Sequence, residues 1–401
     1  MKKLATGICL TMLLNVALGQ EVTRPDTTRR TARMPNFRNQ VVSPEIHPDK
    51  TVTFRLFAPE ASSVEISGEW MPGFGARESL AKNDTGLWTI TLGPLQPEFY
   101  GYSFFINGAK ALDPSNAVIK RDGNRNDNVL FIKGDKSDLY AIKDVPHGVL
   151  SAVWYPSSVL GFQRRMNIYT PPGYEDSKEK YPVLYLLHGA GGDEEAWVEL
   201  GRACQILDNL ISQKKARPMI VVMTNGNPTQ AAAPGYEPEI NEQRIQAFGP
   251  GNMISGKFEE SLVKDVVPYI EKHYRVISNR SARAVAGLSM GGFHTLNIIT
   301  ANPGMFDYAG VMSMGFINTK QFGGEDNRNA FEKQVDLLKA SGIKLLWIGC
   351  GKEDFLYQSV TELRKIFDQH QLKYVYRESQ GGHTWFNWRL YFSELAPLLF
   401  R

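Results

Sequence analysis

Cysteine is scarce: the 401 residues hold three. One of them, Cys9, falls in an amino-terminal leader, so a mature chain keeps only Cys204 and Cys350. Two cysteines cannot build the disulfide framework of a small secreted scaffold. Both sit in apolar surroundings and read as buried free thiols rather than as a bridge. An excess of one charge is missing too. Lys and Arg number 45 against 42 Asp and Glu, a formal net charge of +3 without basic blocks. That balance speaks against nucleic acid or an anionic membrane surface as a partner. The apolar stretch Leu4 to Leu18 is too short for a membrane span and follows the basic pair Lys2-Lys3. This is the pattern of a cleavable export signal. Ala17-Leu18-Gly19 fits the small-x-small cleavage rule, which places residues 1–19 in the signal, starts the mature chain at Gln20 and sends it to the periplasm or beyond. Ile8 stands where a lipidated Cys9 needs a small residue, which argues against a lipid anchor. Internal repeats and low-complexity tracts are absent.

The remaining sequence changes character twice. Residues 20–50 are polar, with Arg29-Arg30 and several prolines, and read as an arm or linker. Residues 51–144 are rich in short alternating runs: Val52 to Phe57, Val64 to Ser67, Leu87 to Leu92 and Tyr100 to Ile106, with turn signals at Asp84-Thr85-Gly86 and Asn107-Gly108. Short strands with frequent turns predict an immunoglobulin-like β-sandwich. From residue 150 to 401, apolar strand runs alternate with amphipathic stretches, which predicts an α/β domain with a mostly parallel sheet. Arg164 to Tyr174 reads as its edge strand, Val183 to Leu187 and Met219 to Met223 as buried strands, and Phe258 to Tyr274 as a helix. The join, Lys143 to Gly148, has no Gly/Ser run, so the two domains are expected to pack together.

The chemistry concentrates in Gly287-Leu288-Ser289-Met290-Gly291, where an apolar run ends and a helix-compatible stretch follows. That context predicts a nucleophile elbow, a strand turning into a helix so sharply that the serine hydroxyl stands clear of the sheet. Ser313, in Val311-Met312-Ser313-Met314-Gly315, lacks the first glycine and reads as a decoy. Serine needs a base, an orienting acid and an oxyanion hole. Gly351-Lys352-Glu353-Asp354 closes an apolar run, and Gly381-Gly382-His383-Thr384-Trp385 follows it, in the Ser, Asp, His order of α/β-hydrolases. Asp354 is the expected acid, with Glu353 its rival, and His383 the expected base. His188-Gly189-Ala190-Gly191-Gly192 follows a strand, and the backbone N–H of Gly189 or Ala190 joins that of Met290 as the expected oxyanion hole. His188 and His294 read as structural. A mechanism of this kind needs neither a metal nor an organic cofactor.

From about Tyr155 to the C-terminus the chain resembles carbohydrate esterase family 1, the feruloyl and acetyl-xylan esterases with their enterochelin-esterase-like relatives. The resemblance rests on Tyr169 to Tyr174, Leu187 to Gly192, Gly287 to Gly292, Gly351 to Asp354 and Gly382 to Trp385. It implies an α/β-hydrolase with Ser289 as nucleophile, His383 as base and Asp354 as acid. Residues 51–144 resemble the carbohydrate-binding module of isoamylase and glycogen-branching enzymes, through Phe54 to Pro59, Gly86-Leu87-Trp88 and Leu112-Asp113-Pro114. Trp70 and Trp88 could stack on sugar or fill the sandwich core; for Trp88, within an alternating strand, the core is expected.

The resemblance implies a secreted serine esterase acting on polysaccharide or oligosaccharide esters, with feruloyl esters of arabinoxylan first. Acetyl-xylan and enterochelin-type ester hydrolysis are the alternatives, and a carbohydrate-binding protein with an inactive esterase fold is the non-enzyme reading. Trp385, Asn225 and Phe316 are the expected substrate contacts, because strand ends at the carboxyl edge of the sheet present them beside the triad. Trp385 could equally anchor the His383 loop.

Overall fold

Alternating apolar residues give a strand one buried face, and the first part of the chain is built from such strands. The computed structural model describes residues 41–401 apart from 74, 237–254 and 323. The expected signal, residues 1–19 with Cys9, and residues 20–40 of the expected arm lie outside the described residues. The strands are β1 (Glu45–Ile46), β2 (Val52–Phe57), β3 (Val64–Gly68), β4 (Glu78–Ser79), β5 (Ala81–Lys82), β6 (Leu87–Leu92), β7 (Glu98–Ile106), β8 (Ala109–Ala111), β9 (Ile119–Asp122) and β10 (Arg125–Ile132). One sheet has the order β1-β2-β6-β5. The other has the order β4-β3-β7-β10-β9, with β8 paired to β7. Every pairing in them is antiparallel. The strand β1 shows that the sheet starts before residue 51. Asn107 and Gly108, with φ of 49° and 84°, make the tight β7–β8 turn for which Asn-Gly is suited.

The two sheets face each other over Phe54 and Leu56 on one side and Ile66, Tyr102, Phe104 and Leu130 on the other. Trp88 lies in that core and donates its Nε1–H to the Ala58 carbonyl at 2.9 Å. Trp70 is half-buried and stacks on Phe54, ring centroids 5.5 Å apart. Neither indole stands free on the surface.

The second part forms one eight-stranded sheet from β11 (Val149–Ser157), β12 (Phe162–Thr170), β13 (Val183–Leu187), β14 (Ile220–Thr224), β15 (Arg283–Leu288), β16 (Tyr308–Met312), β17 (Leu345–Gly351) and β18 (Val375–Ser379). Its order is β11-β12-β14-β13-β15-β16-β17-β18. From β14 onwards the neighbours are parallel. Helices cover both faces, so the strands read as continuous apolar runs rather than alternating ones. Val183, Tyr185 and Leu187 meet the helical segment 257–273 and the helices Met290–Ala301, Arg328–Ala340 and Tyr357–Gln369. Leu184 and Leu186 meet the helices Ala203–Ser212 and Trp385–Leu395 on the other face.

One sequence expectation fails here. Arg164 to Tyr174 is not the edge; β12 is bonded on both sides, and β11, unassigned in the sequence, is the edge. Arg164 and Arg165, at the start of that stretch, are both buried by dedicated partners. Arg165 donates to Glu194 at 2.7 Å, and Arg164 donates to the carbonyls of Asn225 and Asn227.

The two parts share a core. Phe99, Val129 and Tyr140 pack in one cluster with Trp197 and Phe392. Arg389, wholly buried, donates to the Leu200 carbonyl at 2.7 Å and to Glu98 at 3.0 Å. Val41–Arg401 is accordingly one compact unit. Cys204 and Cys350 are free thiols. Among the described residues no helix is long and apolar enough to cross a membrane.

Candidate active site

Ser289 stands between the end of β15 and the first turn of the helix Met290–Ala301, with φ 50° and ψ −117°. A non-glycine residue held there stores about 1–3 kcal/mol of strain, which the flanking glycines make tolerable by letting the backbones close in. A Cβ on Gly287 would lie 2.4 Å from the Gly291 carbonyl carbon, and one on Gly291 would lie 2.5 Å from the Leu187 oxygen. No side chain fits at either position.

The strand ends bring three groups together in a row. Ser289 Oγ is 2.9 Å from His383 Nε2, and His383 Nδ1 is 3.0 Å from each oxygen of Asp354. Asp354 follows β17, and His383 lies on the loop between β18 and the helix Trp385–Leu395. Asn387 fixes that loop by donating to the Gly382 carbonyl at 2.9 Å. Burial pushes the Asp354 carboxyl up, but bonds from His383, the Leu356 N–H and Ser313 outweigh it, and its pKa ends below the ordinary value. It therefore stays ionised beside the imidazole. Glu353 is exposed and makes no such bond to His383. The geometry allows His383 to draw the proton from Ser289 while Asp354 fixes the tautomer.

The loop after β13 passes close to the nucleophile. A Cβ on Gly189 would sit 3.3 Å from Ser289 Cβ. Gly189 and Ala190 line the cleft that Ser289 and His383 open into. Met290 begins its helix, so its N–H has no intrahelical acceptor, and the positive end of the helix lies at the hydroxyl.

His188 and His294 take structural places. His188 Nδ1–H donates to the Gly189 carbonyl at 2.7 Å, and Nε2 accepts from the Gly226 N–H at 2.7 Å. Burial pushes its pKa down to about 4, so it is neutral. His294 is buried against Glu259, 2.9 Å away.

The cleft has a volume of about 740 Å³, within the usual range of ligand sites. Trp385 lines it and is also fixed edge-on between Trp197 and Trp388, at 5.4 and 5.1 Å. Two expected substrate contacts are corrected. Asn225 is fully buried; its Nδ2–H donates to Glu194 at 3.1 Å and its oxygen accepts from the Asn227 N–H. The chain turns inward after β14, so the amide serves the loop. Phe316 is buried against Phe331, ring centroids 5.1 Å apart, in the core under the sheet.

Sequence reasoning missed two neighbours. Ser313 is no idle decoy: with φ 51° it repeats a tight turn after β16, accepts Trp388 Nε1–H at 2.9 Å and bonds to Asp354. Trp388 meets the His383 ring edge-on at 4.9 Å. The spacing of Trp385 and Trp388, one helical turn apart, was the available signal. On the outer side Phe355, 74% exposed, lies 4.4 Å from the same ring.

A hydroxyl, an imidazole and a carboxylate in line at the carboxyl edge of a doubly covered sheet define the α/β-hydrolase class of fold. A family model described as Esterase matches residues 157–399, and the chain belongs to that family. It is similar to an endo-1,4-beta-xylanase/feruloyl esterase of Xylanibacter ruminicola, 33% identical over 334 residues, which are 78% of this chain and 43% of that one. The chain thus spans less than half the length of that relative. A ferulic acid esterase from Anaeromyces mucronatus, solved in complex with ferulic acid, matches with a TM-score of 0.53 at 25% identity, over 67% of this chain and 96% of that one. The enterobactin esterase of Shigella flexneri shares the fold, with a TM-score of 0.60 at 16% identity, over 86% of this chain and 92% of that one.

Proposed function

We propose that the chain is an exported serine esterase that hydrolyses feruloyl esters on arabinoxylan or a related plant cell-wall polysaccharide. The observation that carries this reading is the line of Ser289, His383 and Asp354 at 2.9 and 3.0 Å. His383 Nε2 takes the Ser289 proton as Oγ attacks the ester carbonyl carbon, and the carbonyl oxygen becomes an oxyanion. The N–H groups of Met290 and of Gly189 or Ala190 hold that charge; one such donor is worth about 3–4 kcal/mol of barrier. The intermediate collapses, His383 returns the proton to the departing alcohol oxygen, and the acyl group stays on Ser289. Water, deprotonated by His383, then releases the acid and restores Ser289. Asp354 keeps its negative charge throughout.

The feruloyl choice is supported by the aromatic wall of Trp385, Phe386 and Trp388 in the cleft and by what the Xylanibacter and Anaeromyces relatives are named for. Export is supported by the basic and apolar pattern of residues 2–19. In this reading residues 51–144 are an immunoglobulin-like, carbohydrate-binding-type sandwich and residues 150–401 the α/β-hydrolase domain. The test compares methyl ferulate with 4-nitrophenyl acetate, corrected for leaving group. The ferulate kcat/KM is expected to be the larger, and Trp385→Ala is expected to harm it more than the acetate reaction. Ready deacetylation of xylan with feruloylated oligosaccharides left intact would replace this reading by acetyl-xylan esterase activity.

A further inference from the structure

The cleft above Ser289 has two unlike walls. Against the aromatic wall of the second part stands a charged wall from the first part, made by β8, β9, β10 and the residue after β3. It carries three matched pairs: Lys120 with Glu69 at 2.7 Å, Lys110 with Asp127 at 2.8 Å, and Arg125 with Asp122 at 3.0 Å. Gly101 makes room for the first of them, because a Cβ there would lie 2.5 Å from Lys120 Cε.

Lys120 is buried and needs Glu69 as its partner, but stability does not account for the other two pairs, which are partly exposed and of a kind worth about 0–1 kcal/mol each. Recognition does. Three cations and three carboxylates cancel in net charge, yet together they offer many donors and many acceptors. Hydrogen bonds to ionised groups are the stronger kind, and a hydroxyl can both give and receive them. An anionic or cationic ligand would meet a like charge for every partner it gained.

His383 must reach the departing oxygen, and His383 opens into this same cleft. The alcohol half of the ester therefore leaves along it. We propose that the charged wall is the subsite for that alcohol half, and that it takes an uncharged, hydroxyl-rich glycosyl unit. The proposal rests on ester hydrolysis at Ser289 but not on the identity of the acyl group.

The test uses the full chain and reads a ratio, kcat/KM for a feruloylated neutral oligosaccharide over kcat/KM for methyl ferulate. The isosteric double variant Lys110→Met with Asp127→Asn is expected to lower that ratio ten-fold or more; both side chains are partly exposed, so the fold tolerates the change. A ratio within two-fold of wild type would overturn the proposal. A second measurement needs no variant: an unesterified neutral oligosaccharide is expected to inhibit methyl ferulate hydrolysis at lower concentration than a uronic-acid oligosaccharide of equal length. Equal inhibition, or stronger inhibition by the acidic one, would overturn it. Should the enzyme cleave acetyl and not feruloyl esters, the feruloyl reading falls, and the same ratio and the same inhibition are measured with an acetylated oligosaccharide and a simple alkyl acetate.

Discussion

Arg121, from the first part of the chain, donates to both carboxylate oxygens of Asp193 in the second, at 2.5 and 3.0 Å. Asp193 closes the loop that begins at Gly189, and it is buried. The same hairpin touches the loop a second time, where a Cβ on Gly123 would lie 2.4 Å from the Gly191 oxygen. The strands β9 and β10 thus brace the backbone proposed to hold the oxyanion.

Removing that brace should slow chemistry more than binding. Arg121→Ala is expected to lower kcat about ten-fold, ~1.4 kcal/mol of barrier, with a smaller change in KM. Arg121→Lys should recover part of the loss but not all, since a lysine cannot make the paired contact. Steady-state kinetics on any simple ester checks this, and an unchanged kcat in Arg121→Ala would mean that the loop holds itself.

His188 ties the same loop to Gly226, and its depressed pKa makes a prediction about acid. The folded state holds it neutral down to about pH 4, whereas an unfolded chain protonates it near 6.5. Between those values the unfolded chain binds more protons, so this contribution is complete above pH 6.5 and is lost as pH falls towards 4. It amounts to about 3 kcal/mol. Denaturant unfolding at several pH values should show a flatter acid limb in His188→Asn than in wild type. Parallel limbs would remove His188 as the cause.

The acid assignment is open to a direct comparison. Asp354→Asn is expected to cost about 10⁴-fold in kcat by favouring the wrong imidazole tautomer. Glu353→Gln, on the exposed neighbour, should change it less than about two-fold, as surface substitutions away from a site do. The reverse order would move the role to Glu353.

How far the sequence could be read follows from how local each constraint is. The elbow was legible because Gly287 and Gly291 answer a contact between residues four apart. The strand Val183–Leu187 was legible because burial on both faces leaves an unbroken apolar run. The facing of Asn225 and Phe316 was not, because it depends on where the chain goes after its strand. The inner position of Arg164 to Tyr174 was hidden for a related reason: the acceptors that bury Arg164 and Arg165 come from distant loops. The charged wall of the cleft was invisible, since Lys120 and Ser289 come to line one cleft only through the packing of one part on the other.

Ser313 separates a supporting serine from a reacting one. Ser313→Ala leaves Trp388 Nε1–H without its acceptor and Asp354 without one donor. The expected loss is about 1–3 kcal/mol in stability, with kcat reduced but measurable. Thermal unfolding and turnover of the same sample check both, and complete loss of turnover in a folded Ser313→Ala would give this serine a larger role.

Acyl transfer through Ser289 is tested most directly by trapping it. Wild-type enzyme is mixed with methyl ferulate, quenched in acid within the first turnovers, and the adduct is located by peptide mass spectrometry. The expected result is a feruloyl mass on the peptide containing Ser289, and neither adduct nor turnover in a folded Ser289→Ala variant. A feruloyl group on another residue, or wild-type turnover by Ser289→Ala, would contradict it.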